Sequence, residues 1–212
     1  MIVLQIVGFI VWLYILWVLR RADLKFQRFL LGSVGLFVFL LLWFEPIAVE
    51  PMQKLVAYLS GWIGKGSGLF DSYYRYCMLF IPKDTAAVSL HVDFECSGII
   101  ETIAFWSLLW FFGIYSSKKK IWLSLVGFVW ILLSNIIRIL VICSVIYFGG
   151  NDWFYFAHSV FGRMIFYLLT VALYFKVFTK GQILNQKVGS FGYGDESGHA
   201  LEESAAKQED DR

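Results

Sequence analysis

Long apolar runs, separated by short charged or glycine-rich breaks, fill the first 180 residues of the chain. A helix needs about 20 apolar residues to cross a bilayer. Five runs approach that length: residues 2–19, Phe29 to about Ile47, Cys96 to about Tyr115, Ile121 to about Phe148, and Phe154 to about Phe178. The interval between the second and third reads differently. Pro51 suits the first turn of a helix, and Leu55, Val56, Tyr58, Leu59, Trp62 and Ile63 give that helix a mostly apolar body. It is short for a full crossing, so an interfacial or re-entrant helix is expected, ended by the glycine-rich run Gly61–Gly68. Tyr73 to Ile81 is rich in the aromatic and branched residues that favour strands. After the polar turn Pro82-Lys83-Asp84-Thr85, Val88, Leu90, Val92 and Phe94 alternate with Ser89, His91, Asp93 and Glu95. A period of two marks a half-buried strand. A small β-hairpin is therefore expected here, with one more short helix as the alternative.

Composition agrees with this pattern. The 212 residues are 59% hydrophobic and only 16% charged, with a mean hydropathy of +0.68, which excludes an ordinary soluble globule. No basic stripe points to nucleic acid. The predicted class is an all-α polytopic membrane protein. It has about five long transmembrane helices, one or two short interfacial helices and a small extracytoplasmic β-hairpin. The net charge of +2 hides a strong segregation. Arg20, Arg21, Lys25 and Arg28 follow the first run, Lys118, Lys119 and Lys120 follow the third, and Lys176 and Lys180 close the fifth. Counting crossings puts all three clusters on one side, which the positive-inside rule makes cytoplasmic. The first run has no positive segment before it and no small-residue cleavage site, so a retained span is expected rather than a removed signal peptide. Residues 181–212, dominated by Gly, Ser, Glu, Asp and Gln, are expected to form a disordered cytoplasmic tail behind a membrane domain of residues 1–180. No internal repeat suggests a transporter built from two halves.

Candidate chemistry gathers at one border. Cys96 stands where the alternating strand meets the third apolar run, with Ser97 and Gly98 opening the helix. Arg138 lies about 17 residues from the basic end of its run, roughly 25 Å at 1.5 Å per residue, in the outer half of a bilayer. Asn135 and Ser134 share its helix face. His158 lies near the outer end of the last run, so three groups from three runs reach one depth. A free cysteine is usually a small buried hydrophobe, the reading taken for Cys77 and Cys143; its border position sets Cys96 apart. The three cysteines lack metal-ligand spacing. A Cys77–Cys96 disulfide stays open, and at least one thiol is expected free. A histidine near an interface, taken alone, is more often structural. Arginine inside a bilayer is costly and points to function by default. Glu101 is its candidate counter-ion, and Arg163, deeper on the last run, competes for that carboxylate. His91, Asp93 and Glu95 read as the solvated face of the strand, and Trp62, Trp106 and Trp153 as interfacial anchors. No His/Cys cluster or phosphate-binding glycine loop suggests a metal or cofactor.

A Cys–His pair is the minimum for a thiol nucleophile. Arginine beside it can stabilise the oxyanion of a tetrahedral intermediate, lower the thiol pKa or orient the substrate. The expected reaction is acyl transfer through a thioester, and an acceptor other than water makes the enzyme a transpeptidase.

The order Glu95-Cys96-Ser97-Gly98-Ile99, then Asn135-x-x-Arg138, then His158-x-x-x-Gly162-x-x-x-Phe166 resembles the exosortase/archaeosortase family. The resemblance covers about residues 50–175, and it implies a compact exosortase-like member. Such a protein is a multi-pass plasma-membrane cysteine transpeptidase with its active site on the extracytoplasmic face. It would cleave exported proteins whose C-terminal sorting signal comprises a short motif, a transmembrane helix and a basic end, and pass them to an acceptor such as a lipid or glycan. Cys96 would be the nucleophile, Arg138 the second essential residue and His158 the third; because some members carry arginine at the third position, Arg163 is the alternative there. Asn135, Ser97 and Glu101 are read as supporting residues, and no cofactor is implied. The competing expectation is a non-catalytic polytopic assembly or transport component with a structural Arg138–Glu101 pair. A rhomboid-type serine protease is a weaker third idea, since Ser97-Gly98 lacks the G-x-S-G context.

Overall fold

The computed structural model describes residues 2–82 and 88–181. Its first two helices, α1 (Ile2–Arg21) and α2 (Lys25–Trp43), fold back on each other through Ala22–Leu24. Phe9 stacks on Phe39 with ring centroids 4.4 Å apart, and the Trp12 indole donates to the Leu31 carbonyl at 2.9 Å. Between apolar helices in lipid such packing and interhelical hydrogen bonds replace the hydrophobic effect as the source of association.

The next helix departs from expectation. α3 runs without a break from Glu45 to Ser67, with Pro46 in its first turn and Pro51 inside it rather than opening it. The glycine run does not stop it, because Ser72 and Phe70 press onto the helix at Gly61 and Gly64, where a side chain would collide with them. It ends at Gly68, whose φ of +71° is left-handed. Ala48, Met52, Val56, Ala57, Ser60 and Gly61 form one buried face, while Tyr58 and Trp62 lie exposed on the other. That division is the amphipathic pattern of a helix lying along a boundary.

The expected hairpin is a three-stranded antiparallel sheet: β1 (Asp71–Tyr73), β2 (Met78–Ile81) and β3 (Val88–His91), in that order. Ser72 pairs with Leu79, and Leu79 with Leu90, so one face collects Leu79, Ile81 and Leu90 against the core. Ser89 and His91 point outward, as the alternation predicts. The strand stops at His91, short of Glu95, and residues 94–96 instead form a tight helical turn. The one further helical piece before β2 is a single turn at Tyr74–Tyr76. Past Pro82, the polar turn lies outside the described residues, as does the tail beyond Gly181.

α4 (Ile99–Phe111) is shorter than the third apolar run suggested, and α5 (Ser117–Gly149) is longer than any other helix. At 1.5 Å per residue they measure about 20 and 50 Å, against a hydrocarbon core of about 30 Å. The final helix spans Phe154–Thr179. Four helices are thus long and apolar enough to cross a membrane, with α4 as a fifth, short apolar helix. The architecture is an all-α polytopic membrane protein carrying one small sheet. Three packed clusters hold it together. Val56, Phe70, Leu79, Leu90, Ile139, Ile142 and Ile146 join α3 and the sheet to α5. Phe105, Ile131, Phe166 and Leu173 join α4, α5 and the final helix. Met52, Ile99 and Ile103 join α3 to α4.

Candidate active site

The turn Phe94–Cys96 and Ser97-Gly98 link β3 to α4 through the interior of the bundle, and non-helical backbone there must find partners for its carbonyls. Two polar residues of α5 supply them. Asn135, fully buried, donates from Nδ2 to the Cys96 carbonyl, and Arg138 donates from Nη1 to the Glu95 carbonyl at 3.1 Å. Ser97 closes the turn on itself: its Oγ donates to the Phe94 carbonyl at 2.7 Å and accepts from the Ile99 amide at 3.3 Å. Gly98 then adopts φ +71°, and a Cβ there would stand 3.3 Å from Ile131 Cγ2. The short α4 therefore starts deep enough for Cys96 to lie beside Arg138.

Cys96 is 3% exposed, and its Sγ lies 3.9 Å from Nε2 of His158. That separation is long for a hydrogen bond, as nucleophile–base contacts often are without substrate. The imidazole lies parallel to the Phe154 ring, at 2° between planes and 6.0 Å between centroids. His158 stands on a π-helical turn, Ala157–Phe161, a rare form that recurs at functional sites. The thiol sits on the turn ahead of α4. Burial pushes its pKa above the ordinary value, against the opposing pull of the Arg138 charge.

Arg138 is 3% exposed, with its guanidinium carbon 5.8 Å from the centre of the Phe166 ring. Among the described residues, its Nε and Nη2 have no hydrogen-bond partner, and neither has Asn135 Oδ1. Such donors are expensive to leave unpaired in a buried site. They lie in the same buried site as Cys96, and Arg138 already holds the neighbouring Glu95 through its carbonyl.

Cys96, Arg138, His158 and Asn135 thus converge, while the remaining expectations are redistributed. Ser97 is fully buried with its hydroxyl committed to the turn, which removes it as a nucleophile. Glu101, half-buried on the first turn of α4, forms no ion pair with Arg138. The carboxylate that holds an intramembrane arginine is that of Glu95, whose Oε2 lies 2.6 Å from Arg163 Nη2. Glu95 is exposed, as strand alternation predicts, but its ion pair was missed; the signal for it was Arg163, a cation in an apolar helix that needs an anion within reach. His91 and Asp93 do form the solvated edge, paired at 2.9 Å. All three cysteines are free, so no Cys77–Cys96 disulfide forms. Among the described residues, no group of three His, Cys, Asp or Glu side chains gathers as a metal ion would need.

Comparison with curated proteins and with solved structures finds no match. A family model described as transmembrane exosortase matches residues 1–175. The match takes in every helix from α1 to most of the last, together with the turn that carries Cys96 and the side chains gathered around it, and the chain belongs to the transmembrane exosortase family.

Proposed function

We propose that the protein is a membrane cysteine transpeptidase that cleaves C-terminal sorting signals from exported proteins and transfers them to an acceptor. The observation that carries this reading is the 3.9 Å approach of Cys96 Sγ to His158 Nε2, with the unpartnered Arg138 donors alongside. With its proton on Nδ1, His158 offers Nε2 as the acceptor for the thiol proton. Sγ attacks the scissile carbonyl carbon while the proton passes to Nε2. Arg138 stabilises the negative charge that develops on the carbonyl oxygen. The carbon–nitrogen bond then breaks, and the leaving amine takes the proton from His158, which leaves a Cys96 thioester. An amine or hydroxyl of the acceptor next gives its proton to His158 and attacks the thioester. The carbon–sulfur bond breaks, and the proton returns to the thiol.

Because burial holds Cys96 as the neutral thiol, deprotonation belongs to the attack step rather than to a preformed ion pair. The basic clusters of α1, α2, α5 and the final helix lie at the opposite end from this site. Under the positive-inside rule this supports a reading with Cys96 on the extracytoplasmic face and the tail in the cytoplasm, in the plasma membrane where exported substrates pass. Substrates are then exported proteins with a short motif, a transmembrane helix and a basic end at the C-terminus, and a lipid or glycan serves as acceptor.

In cells, Cys96→Ala is expected to abolish processing, so that exported proteins of this kind accumulate with their C-terminal segment attached, as read by mass. The level of the membrane protein itself stays unchanged. Arg138→Lys, which keeps the charge but loses the guanidinium fork, is expected to fail as well. Normal processing in Cys96→Ala, with loss of abundance in the Arg138 variants, would instead identify a structural membrane component.

A further inference from the structure

Glu95 has both of its polar ends taken by arginines: its carbonyl by Arg138 at 3.1 Å and its carboxylate by Arg163 at 2.6 Å. Arg163 belongs to the helix that carries His158, five positions further on. Residues five apart in a regular α-helix point about 140° away from each other, which would turn one of them away from the Cys96 turn. His158 stands within the π-turn Ala157–Phe161, whose wider winding on the way to Arg163 takes up part of that angle. Both side chains consequently reach the same short turn. Adjacent residues Glu95 and Cys96 are met by Arg163 and His158 of one helix.

We propose that Glu95 and Arg163 are a positioning pair for the reaction: their ion pair, made possible by the π-turn, fixes the turn bearing the nucleophile against the helix bearing the base. The proposal rests on the reading of Cys96 and His158 as nucleophile and base. The pair itself is partly exposed, at 60% for Glu95 and 42% for Arg163, so its removal weakens the fold little. Its geometric effect is larger, because a misplacement of about 1 Å between reacting groups can cost about 100-fold in rate. A merely structural surface pair would show the reverse balance.

The test is the dependence of Cys96 reactivity on His158, measured with the full chain in native membranes. Iodoacetamide alkylation of Cys96 is followed by mass spectrometry at neutral pH, with and without His158→Ala. In the wild-type background His158→Ala is expected to slow alkylation about tenfold, the loss of a positioned base. In Glu95→Gln and in Arg163→Gln backgrounds the same change is expected to matter less than about twofold, with thermal stability and abundance near those of the parent. Arg163→Lys, which keeps the charge, restores most of the dependence. Should one neutral variant fail to accumulate, the other and the lysine variant decide. Full His158 dependence in the neutral variants would overturn the positioning pair while leaving the Cys96–His158 couple intact. No His158 dependence in the wild type would overturn the couple, and the positioning pair with it.

Discussion

At the scale of single residues, Cys96 is set by opposing influences. Burial raises its pKa, and Asp93 and Glu95 add to that, while Arg138 pulls it down without cancelling the rise. The folded chain therefore holds this proton more tightly than the unfolded chain does. The stability tied to it is fully present below the unfolded pKa and is lost as pH rises through the folded value. In a His158→Ala background, alkylation of Cys96 is expected to keep accelerating above about pH 8.5, where a free cysteine is half ionised; a profile that levels off earlier would contradict the effect of burial. Gly98 is the second sensitive residue. Alanine there must hold φ +71° and place a Cβ 3.3 Å from Ile131 and 3.6 Å from Asn135 Nδ2. The left-handed conformation alone costs about 1–2 kcal/mol, and Ile131 must give way by a few tenths of an ångström beside the turn that carries Cys96. Gly98→Ala should lower the melting temperature and impair processing together; wild-type values of both would remove this account of the turn. Cys96, Arg138 and His158 were legible in the sequence because each sits at a countable height on an apolar run. Glu95 was not. Its partner lies 68 positions away, and the alternation, which places Glu95 toward solvent as the structure does, says nothing of what it meets there.

At the scale of elements, the sequence was readable where hydrophobic length decided and misleading where proline and glycine did. Local propensity marks Pro51 and the glycines of 61–68 as breakers, yet α3 passes through all but the last. Packing of Ser72 and Phe70 against the bare helix surface outweighs propensity there. The π-turn under His158 carries no local signature and appears only in the fold. A second π-turn, Phe175–Thr179, carries the most consequential contacts at the other end of the final helix. Phe178 packs edge-on to Phe105 at 5.9 Å and to Phe112 at 5.1 Å, and the Tyr115 hydroxyl donates to the Val177 carbonyl. These contacts seal α4 between α5 and the final helix, and α4 is what sets the depth of Cys96. Ending the chain after Tyr174 removes them, and losing one packed phenylalanine side chain costs about 3–5 kcal/mol. Accumulation in the membrane, quantified through an N-terminal tag, is expected to collapse. Ending it after Gly181 is expected to leave accumulation and processing as they are. A loss of processing in the longer truncation would assign the tail a part in the reaction.

At the scale of the whole molecule, charge and chemistry lie at opposite ends. Arg20 and Arg21 close α1, Lys25 and Arg28 open α2, Lys118 to Lys120 open α5, and Lys176 and Lys180 stand at the close of the final helix. The sheet, the Cys96 turn and His158 occupy the other end of those helices. Cationic residues resist translocation across a bilayer, so the proposed function requires the Cys96 end of the helices to face outward. Cysteines placed at exposed positions test it directly in a Cys96→Ala background, where the remaining Cys77 and Cys143 are both buried. Ser89 on β3 and Lys118 at the start of α5 are both exposed. On intact cells a membrane-impermeant maleimide is expected to label Ser89→Cys, and to label Lys118→Cys only after the membrane is opened. The reverse pattern would turn the Cys96–His158 couple toward the cytoplasm. Exported proteins would then no longer reach it, and the acyl-transfer chemistry would need a substrate that never leaves the cell.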